Sequence, residues 1–256
     1  MPRSIVITGA SSGLGAGLAR SYAAPGVTLA LIARDGGRLA AVAEACRAAG
    51  ADVRTALLDV AEAEPLGGWL LALDDTAPVD LLVACAGTSA GPVGGQPEGV
   101  ALASRQVRTN LLGAVHTVEP LLPRMMARGA GQVAVVASVA GLRGLPYSPG
   151  YSASKAGVRA YGEGLRAYLA PHGVGVSVVV PGFFDTPMTD RFMGAKPMLL
   201  TLPQAVAVVR RGLDRRRARV VFPRLLGLGL QAADLLPARL GDAILRSVRF
   251  HIRPGD

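Results

Sequence analysis

Short apolar runs alternate with helix-length segments along most of this chain, and nothing else in the sequence constrains its fold as tightly. Ser4–Thr8, Thr28–Ala33, Val53–Leu58, Leu81–Ala84, Val133–Ala137, Val176–Val180 and Val220–Phe222 read as strands. Most are continuously apolar rather than alternating, which marks strands covered on both faces. Strands separated by helices predict a parallel sheet with helices on both sides. Right-handed crossovers make such a sheet doubly wound, and its ligands bind at the carboxyl ends of the strands. The 256 residues suit one α/β domain with a full-sized core. The expected organisation is an α/β body of about seven strands over residues 1–223. A helical, Leu/Arg-rich extension of the same domain follows over 224–256.

Composition removes several classes of protein. Half the residues are hydrophobic and 18% are charged, which excludes a disordered chain. Cys46 and Cys85 form no redox or zinc motif, and His116, His172 and His251 are too scattered to suggest a metal site. The N-terminus enters an apolar strand within three residues, without the charged region and cleavage site of a signal peptide. Leu225–Leu245 is interrupted by Asp234, Arg239 and Asp242, so no membrane-spanning helix is expected. A reducing, cytoplasmic setting is the expectation. The net charge of +9 is local: 11 Arg against 4 acids between Arg210 and Asp256 supply +7 of it.

The first strand runs into Thr8-Gly9-Ala10-Ser11-Ser12-Gly13-Leu14-Gly15, and a helical pattern follows. Glycines between a strand and a helix let backbone approach a pyrophosphate, while the helix N-terminus offers free N–H groups. Gly9, Ser11, Ser12, Gly13, Leu14 and Gly15 are therefore candidate dinucleotide contacts. An acid at the end of the second strand would favour a free ribose 2′-hydroxyl. Here Ala33 is followed by Arg34, whose guanidinium suits a 2′-phosphate, so NADP(H) is expected in preference to NAD(H).

Tyr151 and Lys155 stand four residues apart on a helical pattern over Tyr151–Tyr168, hence on one face. Only Lys155 and Lys196 are lysines, so chance placement four residues after a tyrosine is a weak explanation. A free phenol has a pKa near 10 and is a poor base at neutral pH. A neighbouring ammonium favours the phenolate and makes the pair a proton relay for a carbonyl or alcohol. Ser138, at the end of the fifth strand, is placed to hydrogen-bond the same substrate oxygen, although a turn or cap serine reads equally well there.

Together these motifs resemble the short-chain dehydrogenase/reductase family over residues 3–222, which implies a single-domain Rossmann fold and NADP(H)-dependent hydride transfer. The resemblance places Asp59 and Val60 beside the adenine, in Leu58-Asp59-Val60. It makes Asn110, in Thr109-Asn110-Leu111-Leu112-Gly113, a catalytic residue that holds a water relaying protons to Lys155. Ser138, Tyr151 and Lys155 become the other catalytic residues. Ala86 and Gly87 join the cofactor set, as do Pro181, Gly182 and Thr186 in Pro181-Gly182-Phe183-Phe184-Asp185-Thr186. One departure stands out. The family's Asn in the fourth-strand motif is replaced in Ala84-Cys85-Ala86-Gly87, and the lost amide implies weaker stability or cofactor affinity. Cys85 reads as a buried small hydrophobe rather than a nucleophile. The family also implies a homodimer or homotetramer.

Substrate contacts are expected from the loops after strands four, five and six, which carry Leu142, Leu145, Tyr147, Phe183, Phe184, Met188, Phe192 and Met193. This apolar set suggests a small hydrophobic carbonyl or alcohol compound, reduced as a ketone, and the same residues would pack a lid formed by Phe183–Leu200. The extension carries Leu225, Leu226, Leu228, Leu230, Leu235, Leu236 and Leu240 beside Arg224 and Arg239. It fits packing within its own subunit or a dimer, peripheral contact with the inner face of a membrane, or a cover over a long substrate. Arg210–Arg219 reads as an exposed turn before the last strand. It lacks the aromatic interleaving of a nucleic-acid site. The alternative to an enzyme is a non-catalytic NADP-binding sensor or membrane-associated interaction protein on the same fold.

Overall fold

The computed structural model describes residues 2–91, 96–146, 148–247 and 250–252. Seven parallel strands form one sheet: β1 (Ser4–Thr8), β2 (Thr28–Ala33), β3 (Asp52–Leu57), β4 (Leu81–Ala84), β5 (Gln132–Val136), β6 (Gly175–Pro181) and β8 (Arg219–Phe222), in the order β3-β2-β1-β4-β5-β6-β8. All seven fall within a residue or two of their sequence-based positions. β1, β4 and β5 are buried along their whole length, as their unbroken apolar character predicts. β3 lies at the sheet edge, and there Asp52, Arg54 and Thr55 reach solvent. The order reverses between β1 and β4, and the crevice outside the carboxyl ends opens at that point. The chain has the single-domain Rossmann fold.

Helices cover both faces. α1 (Gly13–Tyr22), α2 (Gly36–Ala48) and α9 (Leu202–Asp214) enclose one buried cluster with β1 and β2. α3 (Ala63–Thr76), the helical run through α4 (Gly99–Val107), α5 (Gly113–Val118) and α6 (Leu122–Ala127), and α7 (Pro149–Leu169) enclose the other. Small residues on α7 allow close packing on more than one side: Gly150 lies against Ala103 of α4, and Gly162 against the sheet. A β-carbon at Gly162 would lie 2.5 Å from Val135 Cγ2 and 2.8 Å from Val178 Cγ2, so glycine there lets α7 settle directly on β5 and β6. That contact fixes the height of Tyr151 and Lys155 above the sheet.

Two departures from the sequence reading concern the C-terminal half. The Phe183–Leu200 segment is pinched at its base, where Asp185 donates its N–H to the Leu200 carbonyl at 3.0 Å and Leu200 donates to Phe183 at 3.1 Å. Within it lie α8 (Pro187–Asp190) and β7 (Phe192–Gly194), and β7 pairs antiparallel with β9 (Phe250–Ile252). The extension is therefore not only helical: beyond α10 (Arg224–Asp234) and α11 (Ala238–Ser247) its described residues include the strand that pairs with β7. The Arg210–Arg219 cluster is also not all turn, because Arg210 and Arg211 belong to α9, Arg211 in its last turn, where a cation complements the helix dipole.

Candidate active site

A cleft of about 480 Å³ opens at the carboxyl ends of β1, β2, β4, β5 and β6. The glycine turn lines one end of it. Gly9 has φ +67°, and a β-carbon there would stand 2.8 Å from Ala86 Cα, so a side chain is excluded on both counts. The N-terminus of α1 follows directly, and Ser12 at its cap makes no side-chain hydrogen bond, which leaves the first N–H groups of the helix facing the cleft. Gly9, Ser11, Ser12, Gly13, Leu14, Gly15, Arg34, Asp59, Val60, Ala86, Gly87, Pro181, Gly182 and Thr186 all line this one cavity. These residues suit a dinucleotide: a backbone cradle for phosphates, cations at the mouth, and apolar walls beyond.

At the mouth, Arg34 Nη1 lies 3.3 Å from Asp59 Oδ2 with its side chain 67% exposed. So exposed a pair is worth about 0–1 kcal/mol, and a phosphate would readily draw the guanidinium away. Arg38 also lines the mouth, which sequence reasoning missed. It was legible in principle, because Arg34 and Arg38 flank Asp35, the residue that caps α2 by accepting the Arg38 N–H at 2.9 Å.

Ser138, Tyr151 and Lys155 meet on the opposite wall. Ser138 caps a short 3-10 turn over Val139–Gly141, accepting the Ala140 N–H at 3.2 Å. α7 carries Tyr151 and Lys155 beneath that turn. The Lys155 ammonium is buried, donates to the Val136 carbonyl at 2.8 Å, and lies 5.9 Å from the centre of the Tyr151 ring. Burial pulls the lysine pKa down to about 8. Burial also pushes the Tyr151 phenol above its ordinary value, opposed by a hydrogen bond from Ser138. The Cys85 thiol is pushed up to about 11 by burial, against the pull of Lys155, so it stays protonated and unreactive at neutral pH.

Asn110 sits in a π-helical turn over Arg108–Leu112 and is buried. Its amide donates to the Thr88 carbonyl at 3.0 Å and to Ser154 Oγ at 2.9 Å, and its Oδ1 accepts the Thr88 N–H at 2.7 Å. Both amide hydrogens are thus engaged within the protein, so a water held here would have to donate to an Asn110 oxygen. Its visible work is to brace α7 against the loop after β4. Ser154, which completes the brace, was not singled out in the sequence although it lies between Tyr151 and Lys155. Glu98 was also missed: it accepts the Gly150 N–H at 2.7 Å and so caps the helix that holds Tyr151.

The apolar wall is made by Leu145, Phe183, Phe184, Met188 and Phe192. Phe183 and Phe192 pack with ring centroids 4.7 Å apart, and Phe184 leans on Phe222 at 6.4 Å. Leu142 does not belong to this wall. The turn after Ser138 folds it back into the core between α7 and the sheet, 9% exposed. Met193 lies on β7 outside the cleft as well. Tyr147 lies outside the described residues. The amide lost at Cys85 is partly made good by Thr8, whose hydroxyl accepts the N–H groups of Cys85 at 3.1 Å and Ala86 at 3.3 Å.

Comparison with known proteins agrees with this geometry. The family model for short chain dehydrogenases matches residues 3–196. An uncharacterized oxidoreductase of Myxococcus xanthus is 37% identical over 252 residues, covering 96% of this chain and 98% of its own. A ketoacyl reductase of Nostoc is 35% identical over 211 residues, covering 80% of this chain and 72% of its own. Among solved structures, a short-chain dehydrogenase from Sphingobium yanoikuyae in complex with NADPH superposes with a TM-score of 0.79 at 26% identity, covering 96% of each chain.

The role of Thr8 is open to a direct test. Thr8→Val keeps the shape but leaves two backbone donors without their acceptor, at about 1–3 kcal/mol each. Thermal unfolding should show a midpoint lowered by about 4–24 °C, at about 2–4 °C per kcal/mol for a chain of this size. An unchanged midpoint would show that the bridge between β1 and β4 contributes nothing.

Proposed function

We propose that this chain, which belongs to the short-chain dehydrogenase family, is an NADP(H)-dependent reductase of hydrophobic ketones or aldehydes. The observation that carries the reading is the convergence of Ser138, Tyr151 and Lys155 on one wall of the cleft, opposite the glycine turn. When bound, the nicotinamide supplies the hydride that goes to the carbonyl carbon. The rest of the chemistry belongs to side chains. Ser138 donates a hydrogen bond to the carbonyl oxygen and polarises it. Tyr151 gives its phenolic proton to that oxygen as negative charge develops. The Lys155 ammonium offsets the charge left on the phenolate. Asn110 holds the helix that presents both. Burial holds the Tyr151 phenol protonated, the form that reduction requires.

Arg34 supports the NADP(H) preference, with Arg38 as a second cation at the same mouth. Asp59 and Val60 are assigned to the adenine, and Thr186 with the Pro181–Gly182 backbone to the nicotinamide end. The phenylalanines, Leu145 and Met188 give the substrate an apolar wall. Val100, Leu112 and Tyr168 are exposed on the helices that carry Asn110 and Tyr151, which supports a homodimer or homotetramer assembled through them.

Two variants test the reading. Tyr151→Phe should lower kcat for NADPH-dependent ketone reduction by about 10²–10⁴-fold while NADPH still binds, as followed by its fluorescence. Equal turnover in the variant and the parent would favour a cofactor sensor or interaction protein instead. Arg34→Ala removes a charge-assisted phosphate contact worth about 1.5–3 kcal/mol, so NADPH affinity should fall about 10–100-fold with little change for NADH. Equal losses for the two cofactors would refute the preference.

A further inference from the structure

A second feature lies outside the cleft, where α9, β8 and α10 leave a groove of about 550 Å³. Arg211, Arg215, Arg217, Arg219 and Arg224 stand along it, and none of its lining residues is acidic. Arg219 is engaged by Glu163 at 2.6 Å. Nearby Arg210 and Arg216 are also tied down, by Asp214 at 3.6 Å and by the Gly131 carbonyl. Arg211, Arg215, Arg217 and Arg224 are different. Among the described residues none of them has an ion pair or a side-chain hydrogen bond.

The outer face of α10 adjoins this groove. Leu226 and Leu230 pack inward against the core. Leu225 is 70% exposed, Leu228 62% and Leu235 88%. Residues 225, 228, 232 and 235 recur at steps of three and four, so they share one face of the helix and the turn after it. Leu228 lines the groove itself, and Leu240 on α11 is also exposed. Contiguous exposed leucines beside unpaired cations mark a surface that meets something both apolar and anionic.

Charge decides which occupant fits. In a twofold dimer the same patch faces itself, so the free arginines would be brought towards their own copies with no acid to meet them. A bilayer with anionic lipids offers both complements, phosphates at the level of the arginines and acyl chains for the leucines. We propose that α10 and the arginine groove form a docking surface for an anionic phospholipid membrane. The contact is peripheral: among the described residues no helix is long and apolar enough to cross a bilayer. It is independent of the reaction carried out in the cleft.

Co-sedimentation of the full chain with vesicles tests this, using phosphatidylcholine alone and phosphatidylcholine mixed with phosphatidylserine. Binding is expected to the mixed vesicles only, and to weaken as salt screens the charges. Each arginine near an anionic surface contributes about fivefold to partitioning, so R211A/R215A/R217A/R224A should lose on the order of several hundredfold. L225S/L228S should also release the protein, by removing the apolar contact. NADPH fluorescence titration should be unchanged in both variants, since none of these residues lines the cleft. Should a variant fail to fold, the salt dependence of the unmodified chain still separates charge-driven docking from its absence. Equal binding to phosphatidylcholine alone, no binding to either vesicle, or undiminished binding by the arginine variant would overturn the proposal. So would binding to soluble polyglutamate without vesicle binding, which points to an acidic protein. Loss of a dimer in L225S/L228S by light scattering, again without vesicle binding, would assign the face to a second copy.

Discussion

The buried ammonium of Lys155, held by the Val136 carbonyl, is the contact around which the site is arranged. Removing a cation from water is costly, and burial accordingly draws its pKa down to about 8. The protein accepts that cost only because α7 lies close enough to β5 for the main chain to receive the side chain. The closeness comes from small residues along α7, with Gly162 against Val135 and Val178. Tyr151 follows from the same placement, since it lies one helical turn before Lys155 on the same face.

Two polar braces hold that helix in register with the rest of the cleft, and a third ties the strands beneath it. Glu98 caps its N-terminus through Gly150, Asn110 clasps Ser154 to the Thr88 main chain, and the Thr8 hydroxyl joins the ends of β1 and β4. Buried hydrogen-bonded networks of this kind lose more than one bond when a single partner is removed, because the other partner is left unsatisfied. The cofactor side and the proton-transfer side are thereby tied into one body. The Phe183–Leu200 segment is attached differently, through the pinch at its base and the pairing of β7 with β9.

Most of this was legible where one residue type had one physical reason to be present. Strands covered on both faces left unbroken apolar runs, and the glycine turn, Arg34, Ser138, Tyr151 and Lys155 stood out by chemistry and spacing. What escaped depended on contacts between distant segments. Leu142 is apolar in a loop after a strand, as a pocket residue would be, yet the turn at Val139–Gly141 points it into the core. Glu98 and Ser154 look like ordinary polar helix residues until the fold brings their partners to them. The pairing of β7 with β9 joins two three-residue strands far apart in sequence, too short to leave a periodic signal. Asn110 was found through its motif, but the engagement of both its amide hydrogens is a property of the folded site alone.

In the proposed mechanism, proton donation by Tyr151 depends on the buried Lys155 cation, and a pH profile of the proposed reductase rate tests that dependence most directly. With both NADPH and ketone dilute, the rate reports ionisations of the free enzyme. It should be level in neutral solution and fall as pH rises through about 8, where the ammonium loses its proton. A rate that stays level through this range, and declines only where the phenol itself ionises, would contradict the dependence.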